Sequence, residues 1–247
     1  MSMETPRLTN GVATNQTIRQ AVTDQRFPLG TRGVMSDGRA FRYASNEGIA
    51  LVAGQFCQSE AIGANFINVA VATAAAVEAT SVDVTLGGSE TVVANAYEGG
   101  YLVINDAAGQ GISYRIIGNT AVAAGTALTL TLDEGVHVAL TTSSQACVLK
   151  SQWAAVVIAA AGHVHHVAGV PQFAVPAGST DIQYFWLQTW GLSAGEDDAT
   201  TAVGAALQSG TTTGQAEVNV GAAQLIGTQL VTGVATEFRP KILSIAP

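Results

Sequence analysis

The chain has 247 residues, of which 48% are hydrophobic and only 11% charged, and it carries a formal net charge of −8. That length and apolar content suffice for one large β domain or two small ones, while an acidic balance with only two lysines excludes the dense basic face that nucleic-acid binding requires. A typical soluble domain has about a quarter of its residues charged, so this surface is neutral, poorly hydrated and of the kind that partners cover.

The charge is split along the chain. Residues 1–42 hold six of the ten basic side chains, Arg7, Arg19, Arg26, Arg32, Arg39 and Arg42, against three acids, Glu4, Asp24 and Asp37, which gives +3. The remainder holds four basic and fifteen acidic side chains, which gives −11. Residues 1–45 read as an extended N-terminal arm. The first thirty have too few large apolar side chains to offset the entropy of ordering them, so the arm is expected to lie on a neighbouring chain, with Arg19, Arg26, Arg32, Arg39 and Arg42 as its partner-binding residues. Asp37-Gly38 is a tight-turn signal. After it Phe41 and Tyr43 share one face of a strand, packing on the body, and Arg42 takes the other. No apolar segment of signal-peptide type occurs before residue 47, and the longest apolar run, 153–162, is half of a membrane span; neither a signal nor a membrane partner is expected.

Residues 46–146 form the first predicted β block, with short strands rich in β-branched residues at 49–58, 66–72, 81–86, 100–105, 112–117, 127–132 and 136–140. Strict alternation over 126–132 puts Leu128, Leu130 and Leu132 on one face and Ala127, Thr129 and Thr131 on the other, as in a half-buried antiparallel strand. Asp133-Glu134-Gly135 reads as a hairpin turn, and the Ala-rich segment 73–79 as a strand or a single helical turn. Residues 147–247 form the second block, with strands at 147–150, 154–159, 172–175, 182–189, 203–207, 217–220, 229–234 and 242–245. Pro171 and Pro176 bracket an edge strand, and 191–200 and 209–215 read as exposed loops. Turn signals every 8–12 residues point to an all-β fold, an antiparallel β-sandwich or barrel.

Candidate chemistry is sparse. His163 and His165 share a strand face next to His166, but no third zinc or nickel ligand has suitable spacing, and a polar loop or an inter-subunit contact accounts for them. Glu196-Asp197-Asp198 lacks the alternating acidic pattern that wraps calcium and reads as a solvated loop. Gly109-Gln110-Gly111 lacks the third glycine of a dinucleotide site. No nucleophile elbow, phosphate loop or zinc-protease motif occurs, so neither enzymatic activity nor a cofactor is expected. Cys57 and Cys147 read as unbridged, buried thiols. In the segment 184–190, alternation puts Tyr184, Trp186 and Trp190 on one face, as core, subunit interface or sugar-stacking platform.

Several segments together resemble the capsid decoration (cement) proteins of tailed bacteriophages. They are Leu29-Gly30-Thr31-Arg32 with Asp37-Gly38-Arg39-Ala40-Phe41-Arg42-Tyr43; Gly54-Gln55-Phe56-Cys57-Gln58; Gly100-Tyr101-Leu102-Val103-Ile104-Asn105-Asp106 with Gly111-Ile112-Ser113-Tyr114-Arg115-Ile116; and Val175-Pro176-Ala177-Gly178 with Trp186-Leu187-Gln188-Thr189-Trp190-Gly191. Their order and spacing over residues 29–243 carry the likeness. It implies a virion structural protein on the outer capsid surface, bound to the major capsid protein and to copies of itself, often as a homotrimer. A tail or fibre component and a carbohydrate-binding β-sandwich using Trp186 and Trp190 are the alternatives.

Overall fold

The computed structural model describes residues 5–46, 48–162, 166–178, 182–221 and 223–247. Among them every named strand pairing is antiparallel, and the one helical element is a 3-10 turn, Ala64–Phe66. Among the described residues no helix is long and apolar enough to cross a membrane. The all-β expectation holds. The chain divides into two compact units, one formed by Ala61–Ser151 and the other by Met1–Glu60 together with Gln152–Pro247. The boundary therefore does not fall at 146/147. The sequence written as two consecutive blocks is one unit inserted into another.

The inserted unit is a closed six-stranded barrel. Its strands are Val69–Val71, Ser81–Val92, Tyr101–Asp106, Ser113–Asn119, Val122–Leu132 and Gln145–Leu149, and Gln145–Leu149 completes the ring by pairing with both Val69–Val71 and Tyr101–Asp106. The alternation at 126–132 is realised, with Leu128, Leu130 and Leu132 inside beside Val82, Val84, Ile104, Tyr114 and Ile116. A ring this small is filled by side chains rather than left open. The buried Tyr114 hydroxyl accepts a hydrogen bond from His137 N at 3.1 Å, which satisfies its polar end. The segment 136–140 is not a strand and 73–79 is not helical. Instead Val136 N donates to Ala79 O and Leu140 bridges Ala75, so the two segments run antiparallel side by side. Closure depends on Gly100, where a Cβ would sit 2.0 Å from Leu149 O and 2.9 Å from Tyr97 O. Because backbone cannot yield as a flexible side chain can, Gly100→Ala is expected to cost on the order of 4 kcal/mol and to speed amide exchange in Tyr101–Asp106. Unchanged exchange there would refute it.

The larger unit is organised on one long strand, Tyr184–Glu196. Its first half pairs with Ala40–Ser45 and its second half with Phe238–Ser244. The sheet runs outward from these to Arg32–Val34 and Arg7–Leu8 on one side, and to Gly227–Gln229, Ala206–Ser209 and Ala216–Val218 on the other. Val167–Pro171 joins the long strand to Cys57–Gln58, which also pairs with Val157–Ile158. The predicted loop at 191–200 is thus strand as far as Glu196, and the predicted strand at 172–175 is reduced to a single bridge between Leu51 and Val175.

Residues 5–31 have little regular structure, as expected of an arm, but what covers them is their own chain. Ile18, Met35, Phe41, Tyr43 and Trp186 form one buried cluster, with Phe27 packed against it. Gln16, fully buried, donates from Nε2 to Gln20 O and Tyr184 O and accepts from the Tyr43 hydroxyl at 3.0 Å. Val22 pairs with Tyr184. The shortage of apolar residues in this segment is met by a few well-placed anchors and by side-chain amides that satisfy its backbone.

Candidate attachment surface

The arginines singled out in the sequence have different fates. Arg19 is exposed. Arg26 donates from Nη1 to Asn15 O at 3.1 Å, and Arg39 is paired with Asp37 at 2.6 Å. These two are bound within their own chain. Arg32 and Arg42 are brought directly opposite one another in the ladder between Arg32–Val34 and Ala40–Ser45. Like charges placed so destabilise a sheet. Arg42 lies 5.2 Å over the Trp153 ring and donates to Gly30 O and Pro247 O at 3.2 and 3.0 Å. Burial, and after it the Arg32 charge, pull the Arg42 guanidinium below its ordinary value. The Nε atoms of both arginines are buried with no hydrogen-bond partner among the described residues.

A second feature comes from an irregularity in the long strand. Tyr43 is opposite Trp186 and Phe41 opposite Gln188, but the ladder then shifts so that Ala40 is opposite Trp190. Gly191, at φ +85°, follows the shift. A bulge of this kind moves every later side chain to the other face. Trp186 is therefore fully buried while Trp190 is 38% exposed, so the one-face reading of Tyr184, Trp186 and Trp190 is corrected, and the sugar platform of Trp186 with Trp190 is not formed.

Beyond the bulge Trp190, Leu192 and Ala194 point outward, opposite Ser244, Ile242 and Pro240 respectively. Ile242 is opposite Thr228, and Thr228 is opposite Ala206. One row, Leu192–Ile242–Thr228–Ala206, so crosses four strands with all four side chains exposed and none charged. Leu192 is 54% exposed. Exposed apolar surface continuous across a sheet marks an interaction site far more strongly than scattered residues do.

The acidic triplet is not a solvated loop. Glu196 and Asp197 are buried, and Glu196 accepts from Gln55 Nε2 at 2.7 Å and from Gln215 Nε2 at 2.9 Å. Asp198 accepts from the Thr211 hydroxyl and from Thr212 N, and these bonds outweigh its desolvation to hold its carboxyl below the usual value. His163 and His165 lie outside the described residues, and His166 is exposed with its carbonyl accepting from Ser59 N. Among the described residues no three acidic, histidine or cysteine side chains are grouped to hold a metal. Both cysteines are unbridged, and complete burial pushes the Cys57 thiol far above its ordinary value, leaving it inert. The position of Trp190 was open to misreading because a bulge has no hydrophobic pattern of its own, and the uncharged row is assembled from four segments that no local periodicity links. Set beside known proteins, the chain matches no family model, no curated protein and no solved structure.

Proposed function

We propose that this protein is a virion structural component that decorates and stabilises the outer surface of a phage capsid, binding the major capsid protein lattice as a homotrimer. The observation that carries the reading is the uncharged, exposed sheet face around Trp190, Leu192 and Ile242. It supplies an apolar docking area, each aliphatic side chain contributing about 1.5–3 kcal/mol when covered. The Arg32–Arg42 pair lies in the same sheet, and a carboxylate from a partner relieves its repulsion. The resemblance in segments 29–43 and 186–191 directs the choice of partner to a capsid shell rather than a tail or fibre.

The test is to mix the purified protein with undecorated shells and measure occupancy by sedimentation, with light scattering to give the oligomer. Wild type is expected to saturate the shell as a trimer. Leu192→Asp with Ile242→Asp is expected to weaken binding by about a hundredfold, the loss of one strong interface anchor or more. Failure of the wild type to bind shells, or undiminished binding by the double variant, would refute the reading; binding to tails instead favours the tail component. Salt separates the two contributions, since the arginine pair weakens with ionic strength and the apolar face does not.

A further inference from the structure

Between the strands Tyr184–Glu196 and Phe238–Ser244 lies an ionisable pair that the attachment surface does not use. Lys241 Nζ is 2.8 Å from Asp197 Oδ1, and both side chains are fully shut off from solvent. The same lysine nitrogen also donates to Gly195 O at 2.7 Å. The other carboxyl oxygen, Oδ2, accepts from Gln229 Nε2 at 3.1 Å.

Two glycines press the groups together. A Cβ on Gly195 would come within 2.8 Å of Lys241 Cδ and 3.1 Å of the Phe56 ring, and one on Gly233 within 3.0 Å of Asp197 Cγ. With a larger residue at either place the pair could not be seated as it is.

We infer that Lys241 and Asp197 join in an intramolecular amide bond, formed by the folded chain without any other reagent. After a proton passes from the ammonium to the carboxylate, the free amine Nζ attacks Cγ of the carboxylic acid. The Cγ–Nζ bond forms, one C–O bond breaks, and the departing hydroxyl leaves as water with one hydrogen from the amine. Ammonium and carboxylate thus become amide and water, with nothing oxidised or reduced.

The surroundings favour each part of this. Burial draws the lysine ammonium below its ordinary value, against the opposing hydrogen bond and charge of Asp197, and so favours the neutral amine that attacks. The Gln229 amide is placed to stabilise charge developing on Oδ2. Fixed proximity replaces a bimolecular encounter, and the exclusion of solvent denies the product the water needed for its hydrolysis. The bond fastens together the strands that carry Leu192 and Ile242.

Denaturing mass measurement of the purified full chain is expected to give a mass one water below that of its sequence. A protease digest is expected to contain a branched peptide joining the Asp197 segment to the Lys241 segment. Lys241→Arg restores the full mass. Asp197→Asn expels ammonia instead of water and so arrives at the same final mass as wild type, an outcome that a purely structural role for residue 197 does not produce. A wild-type chain at full sequence mass overturns the inference, as does a water loss that maps to other residues or survives Lys241→Arg. The wild-type measurement decides the matter even if a variant does not fold.

Discussion

Deleting residues 1–28 is expected to unfold the larger unit, not merely to release it from a partner. The deletion removes Ile18 and Phe27 from the cluster around Trp186, and Phe27 meets Tyr43 edge-on and Trp186 at a tilt, at centroid distances of 5.2 and 5.5 Å. Each apolar side chain accounts for about 1.5–3 kcal/mol. Loss of Gln16 and Arg26 removes both bonds made to the buried Tyr43 hydroxyl, at about 1–3 kcal/mol for a polar group left buried and unmet. The total is several kcal/mol, a large part of the 5–15 kcal/mol that holds an ordinary domain folded. Trp153, Trp186 and Trp190, the only tryptophans, all lie in the larger unit, so tryptophan emission during denaturant unfolding reports on that unit alone. Its midpoint should fall sharply. An unshifted midpoint would show the segment to be a dispensable tail and return it to the role of an arm for other chains.

Lys241→Met should be almost as damaging. It removes the amide to Asp197 and leaves that carboxylate buried with no counter-charge, and a buried charge stranded in this way by itself costs about 3–5 kcal/mol. Replacing both partners, as Lys241→Met with Asp197→Leu, removes the stranded charge and is expected to recover most of that loss, short of the cost of the Gln229 amide then left without an acceptor. Chemical denaturation followed by the same tryptophan signal measures both. A double variant as unstable as the single one would place the cost in packing and the lost amide rather than in charge.

These two results mark where local pattern stops informing. The alternation of Leu128, Leu130 and Leu132 was legible because a period of two records a buried face directly. The ring that those residues fill was not, since it closes through Gln145–Leu149 meeting Val69–Val71, a pairing between distant segments. Glu196-Asp197-Asp198 looks like solvent-facing loop on composition alone. Its burial depends on amides and an amine from Gln55, Gln215, Gln229 and Lys241, none of them neighbours in sequence. For the attachment surface, the aromatic concentration at 184–190 and the arginines at 32 and 42 were visible. The inversion of Trp190 by the bulge, and the row through Ile242, Thr228 and Ala206, exist only in the assembled sheet.

The interruption of the larger unit by the barrel also sets a timetable for synthesis. Strand Ala40–Ser45 has its long partner in Tyr184–Glu196, which reaches the ribosome exit about 140 residues later, roughly 10–30 s at the usual rate of elongation. Throughout that interval Phe41 and Tyr43, both fully buried in the finished protein, have only the short strand Arg32–Val34 beside them. The barrel, continuous in sequence from Ala61 to Ser151, has all its strands before the wait ends. The nascent chain is therefore most exposed to aggregation late in translation, with one unit complete and Ala40–Ser45 still without its long partner.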